Sequence, residues 1–185
     1  YDDLEKLKLA GVPNITDFGT RRRHSFLWQE HCVLTAAEVL GDAFTGTSNV
    51  YLAMKHGFEA KGTNAHELPM VYAALADDYE QVKASQYKVL EDWGAMYGQN
   101  LRMFLPDTFG TTQFLRDAPD WVAGWTGARP DSKPPLEAAH ELLDYWNANG
   151  QDPKKKLILF SDGLNVDTMI SMKEIFNGVI GNIVN

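Results

Sequence analysis

The feature that most constrains this chain is a repeating order of short apolar run, small polar turn and amphipathic helix. Its plainest instance is Leu157-Ile158-Leu159-Phe160, followed by Ser161-Asp162-Gly163 and a helical pattern over residues 167–176. An unbroken apolar run of this length suits a strand buried on both faces, as in a parallel sheet covered by helices. Parallel neighbours need a crossover, and a helix usually supplies it. The alternation persists along the sequence and predicts an α/β fold with a parallel sheet, a (β/α) barrel ahead of an open sheet.

The other elements follow from periodicity and punctuation. A helix is predicted over residues 25–40, with Phe26, Val33, Ala37 and Leu40 on one face. A strand follows at 42–46. Ser48-Asn49 caps the next helix, which Gly57 ends. Residues 58–63 read as a strand, and the helix after it carries His66 and Glu67 near its start. A longer helix covers 79–97, with a stripe of Val82, Gln86, Val89, Leu90, Trp93 and Met96, and stops at Gly98. A strand at 101–105 ends in Pro106-Asp107-Thr108, and another extended segment spans 121–129. Pro134 and Pro135 suit the first turn of a helix whose buried face is Leu136, Ala139, Leu142, Leu143 and Trp146, closed by Gly150. The tryptophans and methionines fall on helical stripes and are assigned to the core.

With 185 residues, 44% hydrophobic and 23% charged, the chain can bury a sizeable core. A net charge of −8 argues against nucleic acid as a partner. Against that background the run Arg21-Arg22-Arg23 points to a small anionic ligand. The single cysteine, Cys32, excludes an internal disulfide and a cysteine zinc site, and fits a cytoplasmic location. No apolar run approaches the roughly 20 residues of a membrane span, and no signal sequence opens the chain. His24 and His31 beside Cys32 stand two helical turns apart, too far for adjacent metal ligands.

Polar motifs gather at the predicted strand ends: Phe18-Gly19-Thr20-Arg21-Arg22-Arg23, Gly46-Thr47-Ser48-Asn49, Gly62-Thr63-Asn64-Ala65-His66-Glu67, Asp107-Thr108, Arg129-Pro130-Asp131-Ser132 and Ser161-Asp162-Gly163. In (β/α) barrels these loops build the active site. Arginine matches planar carboxylates and phosphates, aspartate accepts from ribose hydroxyls or holds magnesium, and small hydroxyl side chains and backbone amides hold phosphate. A histidine at a helix start can attack phosphate, because free N–H groups and the helix dipole favour an anion there. Together the motifs read as the rim of a site for a phosphorylated sugar. An extended Arg21–Arg23 can turn at most two side chains to one pocket. Asp107 reads equally as a turn cap, and Asp131 and Asp162 also suit plain turns.

The ordered strings FGTRRR, FTGTSNVYLA, GTNAHE, LPDTFGTTQFLRD, RPDS and LILFSDGL closely resemble nicotinate phosphoribosyltransferase, over residues 17–167. The resemblance implies the irregular (β/α) barrel of the type II phosphoribosyltransferases, only partly covered by this chain. It reads residues 1–185 as the central part of that domain, with the N-terminal domain and the C-terminal remainder outside. The implied activity is transfer of the phosphoribosyl group of PRPP to nicotinate, giving nicotinate mononucleotide and pyrophosphate in NAD biosynthesis. ATP hydrolysis is coupled through a phosphohistidine, which maps to His66. Thr63 maps to a nicotinate contact, Arg129 to the group that holds the nicotinate carboxylate, and Arg21, Arg22 and Arg23 to positions near carboxylate and phosphates. Ser48, Asn49, Asp131, Ser132, Ser161 and Asp162 complete the expected substrate-binding set. Magnesium and ATP are expected at the site, with the metal ligands left open, and a homodimer is expected as the assembly.

One departure stands out. Where many members read HDSGDP, this chain has Pro130-Asp131-Ser132-Lys133-Pro134-Pro135, which keeps the aspartate and serine but replaces the following glycine and acid. Two alternatives stay open at this point: a nicotinamide-preferring phosphoribosyltransferase and a ligand-binding paralogue without turnover.

Overall fold

The computed structural model describes residues 1–99 and 102–185. In chain order its elements are α1 (Asp2–Leu9), β1 (Ile15–Asp17), α2 (Phe26–Leu40), β2 (Phe44–Thr47), α3 (Val50–His56), α4 (Glu67–Ala74) and α5 (Tyr79–Tyr97). There follow β3 (Met103–Phe104), α6 (Thr111–Asp117), α7 (Asp120–Ala123), β4 (Gly127–Ala128), α8 (Pro135–Ala148), β5 (Leu157–Leu159), α9 (Val166–Phe176) and β6 (Asn182–Val184). Every register-defined strand pair is parallel, as the apolar runs predict. The chain divides into two compact units.

The first unit comprises Tyr1–Gly62, Leu164–Asn177 and Ile183–Asn185. Its core gathers Leu7 of α1, Val12, Leu40 of α2 and Met169 of α9, with Ile15 and Phe44 of the paired strands packed against them. Ser25 caps α2 by accepting the Trp28 N–H at 3.1 Å. Asn49 caps α3 by accepting the Leu52 N–H at 3.2 Å, and Gly57 ends that helix in the left-handed region at φ 71°. A single 3-10 turn, Gly41–Ala43, intervenes before β2, so the strand begins later than its apolar pattern suggests. The strand expected at 58–63 is reduced to one bridge. Thr47 donates its N–H to the Glu59 carbonyl and accepts the Lys61 N–H, and the pairing goes no further. The approach is so close that a Cβ on Gly46 would lie 2.2 Å from the Glu59 oxygen, and Gly46 itself sits at φ 134°. Only glycine fits both constraints.

The second unit comprises Thr63–Gly163 and Gly178–Asn182. Its strands run β3-β4-β5 with Phe104, Ala128 and Ile158 aligned, and Asn182 adds an N–H to the Lys156 carbonyl. Gly127 is required in the middle strand, because a Cβ there would stand 2.1 Å from the Leu157 oxygen. Phe104 stacks on Phe114 of α6, and Tyr87 of α5 packs on the same ring while donating its hydroxyl to the Phe114 carbonyl. Helix α8 buries Ala139, Leu142 and Trp146. The buried Lys156 amine donates to the Ala123 and Trp125 carbonyls at 2.7 and 2.9 Å, tying the start of β5 to the turn between α7 and β4.

Several expectations are corrected. Residues 121–129 begin in α7, because a helical turn after Pro119 buries Val122 and Ala123 together; only Gly127–Ala128 pairs as strand. Of the strand expected at 101–105, Met103–Phe104 forms, and Leu101 lies outside the described residues. Met96 is 74% exposed at the end of its stripe, beyond the last turn that packs, and Leu136 is exposed in the first turn of α8. Trp28, Met54, Met70 and Trp121 are also exposed, so helical spacing did not place them in the core. The short elements α1, β1 and α6 carry too little periodicity to be read from the sequence.

Trp146 is fully buried and its indole nitrogen has no partner. Trp146→Ala is expected to cost about 3–5 kcal/mol, read as a lowered urea midpoint. Trp146→Phe removes the unpartnered N–H with less volume and is expected to cost less.

Candidate active site

The site of the second unit follows from strand register. Phe104, Ala128 and Ile158 are aligned across three parallel strands. The third residue beyond each is Asp107, Asp131 and Ser161, so equal spacing delivers two carboxylates and a hydroxyl to neighbouring strand ends. This is the end at which α/β sheets gather their functional loops. His66 joins them from the residue that precedes α4, whose first turn accommodates Pro69.

Asp131 lies at the centre. Its Oδ1 accepts the Ser161 hydroxyl at 2.7 Å. Its Oδ2 faces both Nε2 of His66, at 3.2 Å, and Nη1 of Arg129, at 3.0 Å. Arg129 also donates from Nη1 to Ser161 Oγ at 3.1 Å and from Nη2 to the Asn64 carbonyl at 3.2 Å, while its buried Nε has no partner. Burial pushes the Asp131 carboxyl up, but the Ser161 hydrogen bond, the Arg129 charge and the His66 hydrogen bond outweigh it and hold the group below the usual carboxylate range.

The other imidazole nitrogen, Nδ1 of His66, lies 3.0 Å from Thr108 Oγ1. A carboxylate only accepts, so in the neutral ring Nε2 carries the proton toward Asp131 and Nδ1 accepts from the Thr108 hydroxyl. Asp107 reinforces this assignment from 3.6 Å on the Nε2 side. Its side chain is 1% exposed and neither carboxylate oxygen has a hydrogen-bond partner, whereas the His66 side chain is 31% exposed. One edge of the ring thus faces two carboxylates, and the nitrogen on the other edge keeps the lone pair that a nucleophile needs.

The remaining sequence candidates of this unit divide. Thr63 donates its hydroxyl to the Asn64 carbonyl, the acceptor that also holds Arg129. Ser132 and Asp162 are exposed. Asn64 is a functional neighbour that residue type alone did not single out: it is buried, and its Oδ1 accepts the Ala65 N–H at 2.7 Å, shaping the turn into His66. Thr108 stood among the rim residues, but its contact with His66 spans 42 positions of sequence and carries no local signal. Among the described residues no group of three or more His, Cys, Asp or Glu side chains is placed to hold a metal ion.

The first unit holds its own polar cluster. Gln29, buried in α2, uses all four of its amide hydrogen-bonding positions. Its Nε2 donates to Asp17 Oδ2 and Thr20 Oγ1, and its Oε1 accepts from Arg23 and Asn49. Asp17 Oδ2 also accepts the Thr47 hydroxyl at 2.6 Å. Arg23 lies over the Phe26 ring at 5.5 Å, and Thr20 and Ser48 hydroxyls are 3.3 Å apart. Arg21 and Arg22 are exposed. Asn49 is committed to capping α3 and to Gln29. The Gln29 hub escaped the sequence reading because a lone glutamine in a helix is usually a surface residue.

Asp131 supplies a pH-dependent part of stability. Its folded pKa is depressed, so this contribution is present above about pH 4 and is lost as pH falls through the folded value. The stability difference between wild type and Asp131→Asn is therefore expected to shrink as pH falls from 6 toward 3 in urea titrations; a difference independent of pH would contradict this.

Residues 14–184 match the model of the nicotinate phosphoribosyltransferase (NAPRTase) family. A nicotinate phosphoribosyltransferase structure from Porphyromonas gingivalis superposes with a TM-score of 0.90 at 29% identity, covering 99% of this chain and 46% of that one. One from Vibrio cholerae gives 0.88 at 30% identity, covering 100% of this chain and 44% of that one. Nicotinate-nucleotide pyrophosphorylase from Pyrococcus furiosus shares the fold, with a TM-score of 0.69 at 18% identity over 98% of this chain and 43% of that one. This chain spans just under half the length of these structures. The chain belongs to the nicotinate phosphoribosyltransferase family, and its α/β architecture is that of its members.

Proposed function

We propose that this member of the nicotinate phosphoribosyltransferase family forms the central part of an enzyme that transfers the phosphoribosyl group of PRPP to nicotinate and phosphorylates His66 from ATP. The observation that carries the reading is that one carboxylate oxygen, Oδ2 of Asp131, faces both the His66 ring and the Arg129 guanidinium. A phosphoryl acceptor and a carboxylate-matching cation are thereby held together. The unspent, buried Nε–H of Arg129 supports a planar anionic partner, since an orphan donor costs about 1–3 kcal/mol until it is paired. Nicotinate has the required carboxylate and nicotinamide lacks it.

In the proposed first step the Nδ1 lone pair of His66 displaces the Thr108 hydroxyl and forms the N–P bond. The bond from the γ-phosphorus to its bridging oxygen breaks and ADP leaves. The ring becomes cationic, and the carboxylates of Asp131 and Asp107 beside Nε2 stabilise that charge where it develops. In the second step the nicotinate ring nitrogen attacks the anomeric carbon of PRPP as pyrophosphate departs. That transition state has oxocarbenium character, so positioning and charge stabilisation dominate. Asp131 and Asp162 stand as the candidates for the ribose hydroxyls.

A magnesium ion carried in on the substrate phosphates belongs to the same proposal. The orphan oxygens of Asp107 fit such an ion, which would offset phosphate charge when bound. A homodimer and a cytoplasmic location belong to the same proposal through the family resemblance. No helix among the described residues is long and apolar enough to cross a membrane.

Full-length enzyme incubated with γ-labelled ATP and magnesium is expected to form an acid-labile, base-stable phosphoenzyme, and His66→Ala is expected to form none. Absence of label on folded wild type would favour the non-catalytic alternative. Arg129→Lys is expected to raise the nicotinate KM about tenfold or more, because lysine lacks the planar fork. Equal use of nicotinamide by wild type would overturn the carboxylate assignment.

A further inference from the structure

Lys133 occupies the loop position where the sequence departs from the common pattern, and its side chain does not turn toward His66 or Asp131. Its Nζ donates to Thr112 Oγ1 at 2.9 Å and to Glu141 Oε2 at 2.6 Å, with Glu137 3.9 Å away. Thr112 is the second residue of α6, directly after the loop that carries Asp107 and Thr108. Lys133 itself follows Asp131 by two residues, on the loop from β4 to α8. The three side chains that meet the His66 ring therefore sit on two loops, and Lys133 bridges those loops beyond the site, anchored to α8.

We propose that Lys133 is a positioning residue that sets the spacing of the two loops and thereby holds His66 in one tautomer, ready for phosphoryl transfer. This rests on the reading of His66 given above. Two of the ammonium's donors are taken by Thr112 and Glu141, and Glu137 adds a longer ion pair. Pro134 and Pro135 follow immediately and restrict the backbone, so the ammonium is delivered from a stiff segment. Part-exposed ion pairs contribute little to global stability, as here with Lys133 and Glu141 at 24% and 22% exposure. The tie therefore acts on geometry, to which in-line transfer is sensitive at the scale of an ångström.

The test uses the full-length protein with Lys133→Met, Lys133→Arg and Glu141→Gln, and reads three quantities. Single-turnover labelling from γ-labelled ATP is expected to slow about tenfold in Lys133→Met with the ATP dependence of the rate unchanged within about twofold, to recover in part in Lys133→Arg, and to fall between in Glu141→Gln. The thermal midpoint is expected to hold within about two degrees. The ring nitrogen-15 shifts of His66, assigned with His66→Gln, are expected to report a single tautomer in wild type and an averaged one in Lys133→Met. A loss of rate in proportion to a loss of thermal stability would mean a merely structural role and overturn the proposal, as would unchanged labelling and ring shifts. Where wild type takes no label, the phosphohistidine reading fails, and the ring shifts alone still decide whether Lys133 orders the ring.

Discussion

The charge shared at Asp131 organises the site. The Asp131 carboxylate is part-buried, and Ser161, Arg129 and His66 all converge on its two oxygens. Each partner gains direction in return. Arg129 is fixed with its Nε edge unspent, Ser161 links the two charges, and the histidine proton is drawn to Nε2. The chemical polarity of His66 is thus decided by a residue 65 positions away along the chain. Asp107, orphaned in its pocket, deepens the same asymmetry, and the Thr108 hydroxyl marks the edge of the ring where a phosphorus could approach.

The fold makes that arrangement inexpensive. Three parallel strands with aligned Phe104, Ala128 and Ile158 place equivalent positions side by side, so a constant spacing of three residues assembles Asp107, Asp131 and Ser161 without local distortion. The strands can lie that close because Gly127 has no side chain where the Leu157 carbonyl passes. The aromatic packing of Phe104, Phe114 and Tyr87 behind the strands, and the Lys156 amine holding two carbonyls before β5, give the strand ends a rigid base. In the first unit Gln29 plays a comparable part with a neutral group: its amide separates the Asp17 carboxylate from the Arg23 guanidinium and satisfies both.

Much of this was legible beforehand, element by element. The helix of residues 79–97 has the expected limits, because Asp78 caps it and Gly98 stops it. The helices capped by Ser25 and Asn49 start where their capping side chains demand. The apolar run before Ser161 forms a parallel strand. The failures have a common cause: where burial depended on a neighbour rather than on periodicity, the pattern misled. Residues 58–63 look like a strand but find one partner residue, and residues 121–129 look extended but wind through a helical turn. Met96 continues a stripe that no longer has anything to pack against.

By itself the sequence determined the alternation of strand and helix, the capping residues and the ordered motifs that carry the family. These are consequences of local backbone sterics, side-chain period and short-range hydrogen bonding, all of which act within a few residues. Only the tertiary structure decided that Asp131 is shared between His66 and Arg129, that Asn64 contributes its carbonyl, that Thr108 faces Nδ1, and that Lys133 turns to Thr112 and Glu141. Hydrogen bonds and charge pairing act through space with a reach of a few ångströms. Their partners are therefore set by strand register and packing, which bring together residues that sequence spacing keeps dozens of positions apart.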